Sequence, residues 1–135
     1  MPNVTIKDLH LLLIEPSPTQ QKIVLNLLHA AGVSQVDAVD SGEACLDRLT
    51  RAAYDVILLD IWLPGIDGLV TLQRLRDRQV DTPVVMISGH GNIETAVSAI
   101  KRGAYDFIEK PFKADRLLLV TLRALEASKL QREVK

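Results

Sequence analysis

Two kinds of segment alternate along this chain, and that alternation limits its fold more than any other feature. Short apolar runs occur at Leu9–Ile14, Val56–Leu59, Pro83–Ile87 and Asp106–Ile108, with a weaker one at Gln35–Val39. They are rich in Val, Ile and Leu, bounded by Gly, Pro, Ser or Asp, and short, so they read as buried strands. Helical spacing fills the intervals. Ile23, Val24, Leu27, Leu28 and Ala31 fall on one helical face, opened by Ser17 as a cap and Pro18 in the first turn and closed by Gly32. Ser41 precedes a second helix with Cys45 and Leu49 on one face, and Leu69, Leu72 and Leu75 mark a third. Ile93, Val97 and Ile100 mark a fourth, ended by Gly103, and Ala114 to about Glu133 supplies a fifth.

Five strands alternating with five helices predict a parallel sheet covered on both faces. Right-handed crossovers make it a doubly wound α/β sandwich. The 135 residues suit one domain, with a core over about 8–126 and a helical tail over 127–135. No internal repeat, low-complexity stretch or linker divides it. Sixteen Lys and Arg against seventeen Asp and Glu leave a net charge of −1, which argues against nucleic acid and against a polybasic membrane contact. The longest apolar stretches, Leu11–Ile14 and Val56–Leu63, are too short to span a bilayer. One cysteine, Cys45, excludes an internal disulfide and fits a reducing compartment. The opening MPNVTIKDLH lacks the pattern of a signal peptide, so a cytoplasmic location is expected.

An open parallel sheet binds ligands beyond the carboxyl ends of its strands. Glu15 and Pro16 follow the first run, Asp60 ends the third, Ser88 follows the fourth, and Glu109 and Lys110 follow the fifth. Strands must end in polar residues, so any one of these alone would say little. Together they deliver carboxylates, a hydroxyl and an ammonium to one edge, a set suited to a phosphate and a metal. An Asp carboxylate can attack phosphorus and form an acyl phosphate. Mg²⁺ would offset the charge on the transferring group, Lys110 would act as a point charge on its oxygens, and Ser88 would donate a hydrogen bond. No GxxxxGK loop is present, which argues against nucleotide hydrolysis. Ser88 in SGHG does not sit in GxSxG, which argues against a hydrolase triad.

At these residues the chain resembles the CheY-like receiver domain of two-component response regulators. The matching pieces are LLLIEPSPTQQKIV, DVILLDIWLPGIDGL, PVVMISGHG and GAYDFIEKPF, with Asp60, Pro64, Asp67-Gly68, Ser88 and Lys110-Pro111-Phe112 in order. The resemblance implies a flavodoxin-like (βα)5 fold with strand order 2-1-3-4-5. It implies Asp60 as phosphoacceptor for a sensor histidine kinase, Ser88 as switch hydroxyl, Lys110 as phosphate-binding lysine and Phe107 as the aromatic that changes rotamer. The Trp62 backbone carbonyl would join Asp60 and Glu15 as metal ligands, and the Trp62 and His90 side chains would tune loss of the phosphoryl group. Such a domain is not an enzyme beyond self-phosphorylation from small donors and self-dephosphorylation. A phosphate-handling enzyme of similar architecture would need a substrate-binding insertion, and the chain has none.

From Met86 onward the sequence resembles the NtrX branch of nitrogen-regulation response regulators, in which the receiver precedes an ATPase domain and a DNA-binding helix-turn-helix. In the first half, SPTQQKIVLNLL is more similar to chemotaxis-type receivers.

One departure from the family pattern carries chemistry. Receivers end their first strand with two acids, the second being the main metal ligand beside the phosphoacceptor; here the pair is Glu15 and Pro16. Proline offers neither a side-chain ligand nor an amide hydrogen. Mg²⁺ demands near-ideal octahedral geometry, so a weakened metal site and weaker phosphorylation are expected. With one acid fewer, Lys110 faces less negative charge, which leaves a second reading open: a pseudo-receiver, an interaction module that ignores phosphate.

Away from that edge the expectations are structural. His10, His29 and His90 lack metal-ligand spacing. Cys45 reads as a buried thiol. Asp77 and Asp81 read as solvated surface. In the last helix Leu117, Val120 and Ala124 form one apolar stripe and Leu118, Leu122 and Leu125 another, so the helix is either deeply buried or shared with a partner. A homodimer through the fourth helix, fifth strand and fifth helix follows as an expectation.

Overall fold

Runs of Leu, Ile and Val bury both of their faces only at the centre of a layered structure, and the strands of this chain lie there. The computed structural model describes residues 8–89, 93–110 and 113–133. The elements run β1 (His10–Ile14), α1 (Pro18–Ala30), β2 (Gln35–Val39), α2 (Gly42–Leu49), β3 (Val56–Asp60), α3 (Gly68–Asp77), β4 (Val84–Ser88), α4 (Ile93–Lys101), β5 (Asp106–Glu109) and α5 (Ala114–Glu133). The strands form one sheet in the order β2-β1-β3-β4-β5, every pair parallel. This is the doubly wound arrangement expected, and the winding reverses between β1 and β3.

The period-two geometry of a strand divides the core. Leu11 and Leu13 of β1, with Leu58, Val85 and Ile87, pack on one side against Val24 and Leu28 of α1 and Leu117, Val120 and Ala124 of α5. Leu12 and Ile14, with Ile57, Leu59 and Met86, pack on the other side against Cys45, Leu46, Leu72 and Leu75. β2 pairs only with β1 and is half-exposed along its length, which explains its weaker apolar signal. Burial pushes the Cys45 thiol up to about 12, so it is an inert core group.

Several helix starts match their sequence cues. Ser17 accepts from the Gln20 amide, Ser41 from Ala44 and Asp67 from Val70.

The helical faces depart from expectation in two places. Ile23 does not share the buried face of α1 and is 47% exposed. In α4 the large residues Val97 and Ile100 face outward at 45% and 41% exposure, while Ala96 and Ala99 are fully buried. Among the described side chains of α4 only these alanine methyls are buried; the side chain of Ile93 lies outside the described residues. In α5 the first stripe is buried as expected, Leu125 joins it, and Leu118 and Leu122 are half-buried.

Candidate functional site

The strand ends place the polar residues before any side chain acts. The parallel ladder continues one residue past β1 and β5: the Glu15 amide donates to the Val39 carbonyl at 3.0 Å, and the Lys110 amide to the Ser88 carbonyl at 2.9 Å. Asp60 pairs with Ile87 across β3–β4, and Ser88 with Glu109 across β4–β5. Four strand ends are thereby held in register at one edge.

Glu15, Asp60 and Lys110 meet there. The Lys110 Nζ donates to Asp60 Oδ2 at 2.9 Å and to Glu15 Oε1 at 3.0 Å, bridging residues 50 and 95 positions away in sequence. Both carboxylates are nearly inaccessible, Glu15 at 2% and Asp60 at 3%. Their second oxygens are also committed, Asp60 Oδ1 to the Trp62 amide at 3.0 Å and Glu15 Oε2 to the Ser17 amide at 3.0 Å. Gln21 of α1 locks the Glu15 backbone, donating to its carbonyl at 2.7 Å and to that of Val39 at 3.3 Å.

Burial pushes the Asp60 carboxyl up, Lys110 opposes this, and the Glu15 charge adds to it. Burial acts against the Lys110 ammonium, but its bonds to Asp60 and Glu15 outweigh that and raise it. The pocket therefore holds one firmly charged cation against a carboxylate kept basic, as suits an attacking nucleophile.

Behind Asp60 the start of α3 presses closely. A Cβ on Gly68 would fall on the Asp60 carbonyl oxygen and the Ile61 Cα, so only glycine fits. Asp67 beside it caps α3 rather than facing the pocket.

Residues 11–121 match the family described as Response regulator receiver domain. The chain belongs to that family. The nitrogen assimilation regulatory protein NtrX of Azorhizobium caulinodans is 50% identical over 127 residues, covering 93% of this chain and 28% of its own length. The crystallised receiver domain of NtrX from Brucella abortus is 47% identical with a TM-score of 0.81, over 86% of this chain and 98% of that one. A longer NtrX structure from the same organism gives 48% identity and a TM-score of 0.86, over 93% of this chain and 28% of that one. The NtrX likeness thus spans both halves, the segment resembling chemotaxis receivers included. The chain corresponds to about a quarter of the length of these full-length relatives.

Other residues named from the sequence do not join the side chains of Glu15, Asp60 and Lys110. Ser88 is buried at the end of β4, Phe107 is half-buried against the core beside Met86, and Trp62 stands 69% exposed. His90, Pro111 and Phe112 lie outside the described residues.

Receivers use Mg²⁺ at the phosphorylation site. Among the described residues no group of three or more His, Cys, Asp or Glu converges as a metal cage. Two carboxylates with a carbonyl nevertheless fit Mg²⁺, which is ordinarily bound through one or two carboxylates, waters and phosphoryl oxygens.

Sequence reasoning missed two features away from the edge. His10, Asp37 and Tyr54 form a polar knot near the start of β1, with the Tyr54 hydroxyl donating to Asp37 at 2.6 Å and the His10 ring 4.4 Å from that of Tyr54. Arg76 binds the backbone of two turns. Neither has a sequence signal, because their partners are distant or are carbonyls.

Proposed function

We propose that Asp60 is the phosphoacceptor of this receiver and that a sensor histidine kinase is the donor. The observation carrying this reading is the Lys110 ammonium held at 2.9 Å from a buried Asp60 at the carboxyl edge of the sheet. An Asp60 oxygen bonds to phosphorus as the P–N bond of the kinase's phosphohistidine breaks. The electron pair stays on the imidazole nitrogen, which takes up a proton. Lys110 then turns from the carboxylate to the phosphoryl oxygens, still tied to Glu15, and the Ser88 hydroxyl donates to the same group. Phe107, half-buried, turns inward as the loop after Ser88 closes, shifting a pre-existing equilibrium. Trp62 shields the acyl phosphate from water, with His90 as a second tuning position.

Asp60, Glu15 and the Trp62 carbonyl would hold Mg²⁺, which when bound offsets charge on the transferring group. Pro16 supplies no further ligand, so the ion is held weakly. The exposed apolar side chains of Val97, Ile100, Tyr105 and Leu119 support a homodimer through α4, β5 and α5 as the output. The NtrX likeness supports a cytoplasmic role in nitrogen-linked gene control, with DNA bound outside this domain. Among the described residues no helix is long and apolar enough to cross a membrane.

Intact-mass spectrometry after incubation with acetyl phosphate, with and without Mg²⁺, tests the reading beside Asp60→Asn. One added phosphoryl group that needs both Mg²⁺ and Asp60 is expected. No addition to folded protein at high Mg²⁺ would overturn it, in favour of a module that ignores phosphate.

A further inference from the structure

Arg76, in the last turn of α3, joins two helix ends that the phosphorylation chemistry does not use. Its Nη1 donates to the carbonyls of Val80 at 2.6 Å and Thr82 at 3.2 Å, just after α3. Its Nε and Nη2 donate to the Gly103 carbonyl at 3.3 and 2.8 Å, in the turn that ends α4. Four of the five guanidinium N–H groups thus bind main chain.

Both ends have the same geometry. After α3 the Gln79 amide bonds to Arg76 O and the Val80 amide to Leu75 O; after α4 the Gly103 amide bonds to Ile100 O and the Ala104 amide to Ala99 O. Each is a Schellman turn with a left-handed residue, Gln79 at φ 62° and Gly103 at φ 105°. A Cβ on Gly103 would lie 3.0 Å from Arg76 Nε, so the glycine also makes room for the guanidinium. The Tyr105 amide then bonds to Val84 O at 2.8 Å and fixes the start of β5.

The body of α4 is held far less firmly. Among its described side chains, which leave out Ile93, the buried ones are Ala96 and Ala99, while Val97 and Ile100 face outward. A buried methyl removes far less apolar surface from water than a buried Val or Leu side chain does. One end of the helix is clipped, its length is loosely seated, and its other end follows Ser88 in the chain. We propose that Arg76 is the fixed pivot about which α4 moves when Asp60 is phosphorylated, confining the change to the outer face and the first turns. This rests on Asp60 being the phosphoacceptor.

Hydrogen–deuterium exchange on the full chain, with and without beryllofluoride and Mg²⁺, tests it. In the wild type the Gly103 and Ala104 amides are expected to exchange at rates unchanged by beryllofluoride, while the first turns of α4 respond. Arg76→Lys keeps the charge and loses the planar fork. It is expected to speed exchange at Gly103 and Ala104 about tenfold or more and to make them respond to beryllofluoride. Rates within about twofold of wild type in both Arg76→Lys and Arg76→Gln would overturn the clip. A beryllofluoride response at Gly103 in the wild type would overturn the pivot. A response at the Asp60 edge without one in the first turns of α4 also overturns the pivot, whereas no response anywhere in the wild type overturns the phosphoacceptor reading, and the Arg76 variants still decide whether the clip exists.

Discussion

Position 16 holds proline where the receiver pattern has a second acid. Glu15 alone balances Lys110 beside Asp60, and its other oxygen is held by the Ser17 amide. An added carboxylate attracts a divalent ion strongly, and after most of that gain is lost to desolvation a net of about 1–2 kcal/mol is expected. Pro16→Asp is therefore expected to tighten Mg²⁺ binding about tenfold. Trp62 reports it, being the single tryptophan and bonded through its amide to Asp60. A fluorescence titration with unchanged Mg²⁺ affinity would remove Pro16 as the cause of a weak site. Tyr54 makes a second prediction. Burial first, and then Asp37, pushes its phenol up to about 12 from 10.0. A raised value means that the neutral phenol contributes stability below pH 10.0, lost as pH rises toward about 12. The Asp37 carboxyl is lowered, chiefly by the Tyr54 hydrogen bond against an opposing burial effect, so its contribution is lost only in acid, below 3.8. Tyr54→Phe should cost about 1–2 kcal/mol at neutral pH and flatten the alkaline decline, as read from urea unfolding across pH.

Among the elements, helix ends and faces differ in how far their sequence announces them. α1 and α4 end at Gly32 and Gly103, both left-handed, and those glycines are visible signals. α3 ends in the same turn with Gln79 at φ 62°, where no letter marks it. Relieving that strain outweighs the added freedom of the unfolded chain, so Gln79→Gly should raise stability by about 0.5–1 kcal/mol and the melting temperature by a few degrees. Thr121 of α5 is fully buried, and its hydroxyl is the buried side-chain polar atom without a hydrogen-bond partner among the described residues. Thr121→Val keeps the shape and removes the unmet group, for an expected gain of about 1 kcal/mol in thermal unfolding. The faces of α4 were the harder reading. Helical spacing finds Val97 and Ile100 but cannot say whether that stripe or the alanines beside it meets the sheet, because both recur with the same period. β2 was faint for the opposite reason, as an edge strand needs few apolar residues.

The whole molecule sets its polar site on one edge and, apart from Trp62 at that edge and Ile23 on α1, the exposed large apolar side chains among the described residues on another surface. The edge was legible because each site residue ends a strand or directly follows one, so finding the strands places Glu15, Asp60, Ser88 and Lys110 at one edge. Arg76 was not legible, since backbone carbonyls have no letter in a sequence. The apolar surface follows from the fold: once α4 sets its alanines inward, Val97 and Ile100 have nowhere else to go, and Tyr105 and Leu119 of the adjoining elements are exposed with them. A net charge of −1 gives two copies little reason to repel. If phosphorylation moves α4 about its clipped end, the area presented by these side chains changes, and self-association changes with it. Sedimentation velocity of the chain with beryllofluoride and Mg²⁺ should then show a dimer that weakens on their removal. Ile100→Lys puts a charge on the proposed contact surface and should weaken the dimer at least about tenfold. Because Ile100 is exposed, the same variant should unfold within about 0.5 kcal/mol of the wild type. Association persisting in Ile100→Lys would mean that another surface pairs the two copies.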